Sequence, residues 1–171
     1  MTATAIDPAV DNFASDVLTI EANGHVATLW LDRPEQRNAL GPDFWADLPL
    51  AMDALGSATD IRVVVIAARG PHFSVGLDLK AIAEPGGLFD SSGGVTAKRS
   101  PSIATRGKRT RGEILRLQAS ITAVAACPKP VIAAIHGYCI GGGVDLAAAC
   151  DIRLASADAT FSVRETRMAM V

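Results

Sequence analysis

Two short stretches, IRVVVIAARG (residues 61–70) and KPVIAAIHG (residues 129–137), constrain the fold more than any other feature. Each holds a β-branched, wholly apolar run. A strand of that kind is buried on both faces, which is typical of parallel sheets covered by helices. Both runs end at a glycine, where the chain must turn. The sequence VLTIEANGHVATLWLDRP (residues 17–34) alternates apolar and polar positions around Asn23-Gly24 and predicts a hairpin with its turn at that pair. The stretch from Asn38 to Ala58 has helical spacing, with Phe44, Leu48, Met52 and Leu55 on one face. Pro42 suits its first turn, whereas Pro49 is awkward inside it. A second helix is predicted in RGEILRLQASITAVAAC from Arg111 and a third near Val144, with short strands in DIRLAS and ATFSV. The order is β-β-α-β-α-β-α-β-β. That alternation is an α/β fold, in which strand ends carry ligands.

The chain has 171 residues, 49% of them hydrophobic and 20% charged, with a net charge of −2. This suits one globular domain, read here as residues 16–171, preceded by a flexible N-terminal tail over 1–15. The tail lacks the basic and apolar regions of a secretory signal, and no run is long and apolar enough to span a bilayer, so a cytoplasmic location is expected. Cys127, Cys139 and Cys150 form no CxxC and sit among Ala, Val and Ile, as small buried thiols do. His25, His72 and His136 have no ligand spacing, and no metal site is expected.

The chemistry concentrates in HGYCIGGGVDLAAACDIR (residues 136–153) and HFSVGLDLK (residues 72–80). In the first, three glycines and Asp145 interrupt an apolar run. Glycines before a helix let a ligand approach unpaired backbone N–H groups, which suits a phosphate or a developing oxyanion. The alternative is close helix–strand packing, for which glycine is equally apt. The second stretch repeats the grammar of strand, glycine and helix start, so two loops can aim two N–H groups at one oxygen. Asp145 and Glu165 are candidate acid–base groups; a carboxyl in an apolar site has a raised pKa and exchanges protons near neutrality. Glu165 is equally readable as a surface charge paired with Arg164 or Arg167. No nucleotide-binding glycine fingerprint is present.

RPEQRNAL (Arg33 to Leu40), HFSVGLDLK, CPKPVIAAIHGYCIGGGVDLAAACDIR (Cys127 to Arg153) and ATFSVRE (Ala159 to Glu165) together resemble the crotonase family of enoyl-CoA hydratases and isomerases. The resemblance runs from about Val17 onward. CIGGGVDL and the Phe44-Trp45 pair look most like the Δ3,5-Δ2,4-dienoyl-CoA isomerase branch, since the wider family commonly has Glu where this chain has Asp145. The resemblance implies a crotonase-type spiral of ββα units. It implies that the Leu77 and Gly142 N–H groups form an oxyanion hole for a thioester carbonyl, with Asp145 and Glu165 on the two acidic positions. Substrate contacts would come from Val75, Gly76, Leu77, Asp78, Lys80, Arg37, Gly141 and Gly142. No cofactor is expected, because coenzyme A is part of the acyl-CoA substrate. The family assembles as trimers or hexamers through a C-terminal helical region, and the dienoyl isomerases carry a third acid at the equivalent of position 173. The resemblance therefore implies an incomplete copy of the fold, with little isomerase activity expected of these 171 residues alone.

Lys98, Arg99, Arg106, Lys108, Arg109 and Arg111 are the only charges between Asp90 and Glu113, a basic stretch that overlaps the segment from Glu84 to about Arg109 expected to be a solvated, mobile loop. Contact with coenzyme A phosphates, or a lid over the site, is the functional alternative. Nucleic acid is disfavoured by the absence of interleaved aromatics and by the acidic overall balance. Besides dienoyl-CoA isomerase, two further activities fit the sequence: an enoyl-CoA hydratase of the same fold, and a non-catalytic acyl-CoA-binding or scaffold protein.

Overall fold

The computed structural model of the chain describes residues 7–83 and 102–164. Five strands form the main sheet: β1 (Leu18–Asn23), β2 (Val26–Leu31), β3 (Val63–Ala68), β4 (Val131–Ile135) and β6 (Ile152–Ala155), in the spatial order β1-β2-β3-β4-β6. The β1–β2 pair is antiparallel and the remaining pairs are parallel. Two short strands, β5 (Tyr138–Ile140) and β7 (Thr160–Ser162), pair in parallel as a separate sheet. The helices are α1 (Pro8–Asp11), α2 (Pro42–Ser57), α3 (Leu79–Ala83), α4 (Ile103–Ala125) and α5 (Gly142–Ala149). The expected α/β alternation is present. Part of the segment expected to be a tail is packed: α1 buries Val10, and the Ser15 hydroxyl donates to Asp47 at 2.7 Å.

The hairpin turn lies one residue later than expected. Asn23 pairs with Val26, so the two central residues are Gly24 and His25. Gly24 has φ +59° and His25 does not have positive φ, which is the II′-like pattern that needs glycine first. In β3 and β4 the apolar runs are strands as expected, but burial is fuller on one face than on the other: Val63, Val65, Ile132 and Ala134, at the alternate positions, are half-buried. Val64 faces Val131 and Ile66 faces Ala133 in register, and all four are buried.

The expected apolar face of α2 is the buried one, with Trp45 and Ala51 added to it. Pro49 is accommodated by a partner on another helix. Proline has no N–H, so the Trp45 carbonyl four residues earlier loses its helical donor. The hydroxyl of Ser120 on α4, wholly buried, donates to that carbonyl at 2.6 Å. Lys129 closes the other end of α2, its ammonium donating to the Leu55 and Ala58 carbonyls.

Helix α4 starts at Ile103, eight residues before the predicted Arg111, so residues 103–109 are helix where a loop was expected. Lys, Arg and Ala favour helix, and the roughly 1 kcal/mol cost of a glycine such as Gly107 is tolerated once the helix is anchored elsewhere. The anchor is its C-terminal half, where Ser120 and Val124 are buried and Leu117 and Ile121 pack against the core. Lys98, Arg99 and the rest of 84–101 lie outside the described residues.

Candidate active site: two backbone donors on touching loops

The strand β4 ends in Ile135-His136-Gly137, and the chain then runs through β5 into α5. Alongside it lies Phe73-Ser74. The Phe73 N–H donates to the His136 carbonyl (2.9 Å), the Ser74 N–H to the Tyr138 carbonyl (2.9 Å), and the Ile140 N–H to the Ser74 carbonyl (3.0 Å). The two loops singled out in the sequence are therefore hydrogen-bonded neighbours. Glycine allows the approach at two points. At Gly137 (φ +55°) a methyl would lie 2.2 Å from the Pro71 carbonyl oxygen. At Gly76 (φ +87°) it would lie 2.8 Å from the Ile140 oxygen and 3.5 Å from the Gly142 nitrogen.

Each loop presents one N–H whose direction is fixed from behind. In a trans peptide the carbonyl and the N–H point in opposite directions. The Gly76 carbonyl, which shares a peptide plane with the Leu77 N–H, accepts from the Leu40 N–H at 2.8 Å. Asp78 N–H in turn donates to the Leu40 carbonyl at 3.1 Å, so Leu40 grips both sides of Leu77. The Leu77 N–H points away from that grip and has no acceptor among the described residues. The Gly141 carbonyl shares its plane with the Gly142 N–H and accepts from Val144 (2.7 Å) and Asp145 (3.3 Å) at the start of α5. The Gly142 N–H therefore points back out of the helix end, again without an acceptor among the described residues. Gly141, at φ 52° and ψ −124°, makes the turn, and its own N–H donates to the Ser162 carbonyl at 2.9 Å.

Close packing, the alternative reading of the glycines, is present as well. A methyl at Gly142 would lie 3.1 Å from Leu40 Cδ1, and one at Gly143 would lie 3.0 Å from Ser74 Cβ. The helix begins at Gly142, two residues before the predicted Val144, because the glycines form its first turn against these side chains.

Asp145 is exposed, which corrects the expectation of a carboxylate held inside an apolar run. On α5 the buried face is Gly142, Gly143, Leu146 and Ala147; Asp145 shares the opposite face with Ala148. Glu165 lies outside the described residues. Asp78, expected among the substrate contacts, has both carboxylate oxygens engaged. Its Oδ1 accepts from the Ala81 N–H (3.1 Å) and caps α3, while Oδ2 pairs with Arg33 at 3.4 Å. Val75 is tied by its N–H to the Arg37 carbonyl at 3.2 Å, so Arg37 stands beside the Val75–Lys80 loop. Arg37 and Lys80 are both exposed, and neither has a carboxylate partner among the described residues.

Sequence reading missed the supports of this site. Asn38 is buried with φ +52°; its side chain accepts from the Arg33 N–H and donates to the Arg69 and His72 carbonyls, each at 2.9 Å. Ser74 and Trp45 lie beneath the donor loops. The indole N–H of Trp45 donates to the Leu40 carbonyl at 3.2 Å. An Asn among Arg and Ala, or a Ser before a Val, carries no such signal, because the partners that tie the loops together, Arg69 and His72 for Asn38 and Asn38 for Ser74, lie more than thirty residues away.

The three cysteines are free thiols, with Cys139 and Cys150 buried. Among the described residues no cluster of His, Cys, Asp or Glu could hold a metal ion, and no helix is long and apolar enough to cross a membrane.

Comparison with known proteins places this geometry in context. The model of the enoyl-CoA hydratase/isomerase family matches residues 21–171. A peroxisomal Δ(3,5)-Δ(2,4)-dienoyl-CoA isomerase of Arabidopsis thaliana is 40% identical over 156 residues, covering 91% of this chain and 53% of that protein. The mitochondrial enzyme of the same name from Mus musculus is 38% identical, over 94% of this chain and 46% of that protein. An (E)-benzylidenesuccinyl-CoA hydratase of Thauera aromatica is 33% identical, over 89% and 52%. Among solved structures, an enoyl-CoA hydratase/carnithine racemase from Magnetospirillum magneticum superposes with a TM-score of 0.74 at 31% identity, over 92% of this chain and 53% of that one. An enoyl-CoA hydratase from Thermobifida fusca, solved in complex with acetoacetyl-CoA, gives 0.71 at 30% identity, over 96% and 60%. The chain thus spans about half the length of the curated relatives it matches. The fold neighbours share the expected crotonase-type α/β architecture, and the chain belongs to the enoyl-CoA hydratase/isomerase family.

Proposed function

We propose that the protein is an acyl-CoA enzyme that polarises a thioester carbonyl between the Leu77 and Gly142 N–H groups and shifts double bonds in a dienoyl-CoA. The observation that carries this is the pair of outward N–H groups, each in a peptide plane whose carbonyl is pinned from behind. Donors fixed in advance stabilise charge as it develops, at little cost of reorganisation, and one such donor is worth about 3–4 kcal/mol of barrier. Polarising the carbonyl acidifies C2. Loss of a C2 proton from a 3,5-dienoyl thioester gives an enolate conjugated through to C6. Return of a proton at C6 yields the 2,4-dienoyl product, with no net gain or loss of atoms or electrons. Asp145 and Glu165 are the carboxylates assigned to these transfers. Arg37 and Lys80 supply positive charge for the coenzyme A phosphates. A trimeric or hexameric assembly and the absence of any added cofactor belong to the same reading.

The 33% identity to a named hydratase supports a second reading, addition of water across an enoyl bond. Ultraviolet assays of the whole protein with a 3,5-dienoyl-CoA and with a 2-enoyl-CoA separate the two. Isomerisation predicts growth of the conjugated dienoyl band with the first substrate and little change with the second. Glu165→Gln should lower kcat strongly with KM nearly unchanged, because the substitution keeps shape and removes a proton carrier. Gly142→Pro should also lower kcat, since the donor disappears. Undiminished turnover in both variants would exclude this mechanism.

A further inference from the structure

We propose that Ser74 is a positioning residue that sets the gap between the two donors, a role that rests on reading Leu77 and Gly142 as those donors. Ser74 is wholly buried and touches both loops. Its hydroxyl donates to the Asn38 carbonyl at 2.7 Å and accepts from the Gly76 N–H at 3.1 Å. Gly76 is the residue, at φ +87°, that turns the chain into the Leu77 peptide plane. Fixing its N–H from one side, while Leu40 holds its carbonyl from the other, leaves the Leu77 N–H little freedom to rotate. The same side chain seats the other loop: the point where a Gly143 methyl would stand is 3.0 Å from Ser74 Cβ and 3.3 Å from its Oγ. The Ser74 backbone also bonds Tyr138 and Ile140, which lead into Gly141 and Gly142. One small side chain thus acts as spacer and clamp. A larger group would push the first turn of α5 away. A group without a hydroxyl would leave the buried Gly76 N–H and Asn38 carbonyl short of a partner.

The test uses Ser74→Ala and Ser74→Cys in the whole protein. Ser74→Ala should lower kcat roughly tenfold to a hundredfold with KM for the acyl-CoA nearly unchanged, as expected when reacting groups are displaced by a fraction of an ångström. Cysteine keeps a weak donor and acceptor but adds bulk against the first turn of α5, so Ser74→Cys should also lower kcat and should displace the Gly142 amide resonance more than Ser74→Ala does. Infrared spectra of a bound 13C-carbonyl thioester report donor strength directly. The carbonyl band should shift down in the unmutated protein and shift less in Ser74→Ala. In unliganded protein, the amide resonances of Leu77 and Gly142 should both move in Ser74→Ala, alongside that of Gly76. A lower melting temperature with unchanged kcat and carbonyl frequency would overturn the proposal, as would an amide change confined to Gly76. No downward shift in the unmutated protein would instead overturn the donor assignment, while the amide resonances would still decide whether Ser74 couples the loops.

Discussion

Cys150 shows how little room this interior leaves for charge. Its thiol is buried at the end of α5 and donates to the Leu146 carbonyl at 3.4 Å. Burial pushes its pKa up to about 12, with Arg153 pulling down and Asp151 pushing up by lesser amounts. Burial alone raises Cys139 to about 11. Both folded-state values exceed the ordinary 9.0, so the unfolded chain loses these protons first. The stability they contribute is complete below about pH 9 and is lost as pH rises toward 11 and 12. The midpoint of urea unfolding should therefore fall between pH 8.5 and pH 10.5, and Cys139→Ala should lessen that fall. Thiolate is the reactive form, so Cys127, which is partly exposed, should be alkylated first in the folded protein. Equal labelling rates at all three sites under native conditions would contradict this burial.

At the scale of elements, α2 and α4 are joined by a repair to a broken helix. Pro49 removes the helical donor to the Trp45 carbonyl, and Ser120 replaces it from α4. Ser120→Ala should cost about 1–3 kcal/mol, the usual penalty for a buried carbonyl left without a partner. Pro49→Ala restores an N–H at the right place in the helix. The double variant should therefore be more stable than Ser120→Ala alone, a coupling that a double-mutant cycle in urea measures. Simple additivity would mean that the Trp45 carbonyl is satisfied otherwise. Elements of this kind separate what a sequence displays from what it conceals. The strands β3 and β4 are legible because a β-branched apolar run favours a strand inside a sheet, although burial is complete on only one of their faces. The donor loops are legible because glycine marks places where backbones meet. Strand β5, with three residues, is too short to carry a period. The early start of α4 was hidden because Gly107 and a basic run read as loop. The exposure of Asp145 was hidden for a different reason: a neighbourhood of Val, Leu and Ala is compatible with either face of a helix, and only the packing of Gly142, Gly143, Leu146 and Ala147 chooses between them.

Across the molecule, burial is uneven. The β1–β4 side of the sheet holds the core, whereas β6 is an edge strand exposed at all four positions. Leu154 on β6 is 60% exposed, and Phe161 and Val163 at and beyond β7 are 50% and 60% exposed. Among the described residues no strand pairs with the outer edge of β6. An exposed apolar edge offers unpaired backbone groups and apolar area to any other chain. The chain should therefore self-associate through this edge. Leu154→Lys places a charge on that edge without removing a buried contact, so stability should change by no more than about 0.5 kcal/mol. Sedimentation velocity should then show a smaller average species at equal protein concentration. Phe161→Lys, on the separate β5–β7 sheet, distinguishes the edge from the apolar area at large. If only Leu154→Lys shifts the distribution, association runs through the β6 edge; if both shift it equally, the whole apolar surface is responsible. An unchanged distribution in both would mean that this side of the sheet does not drive association.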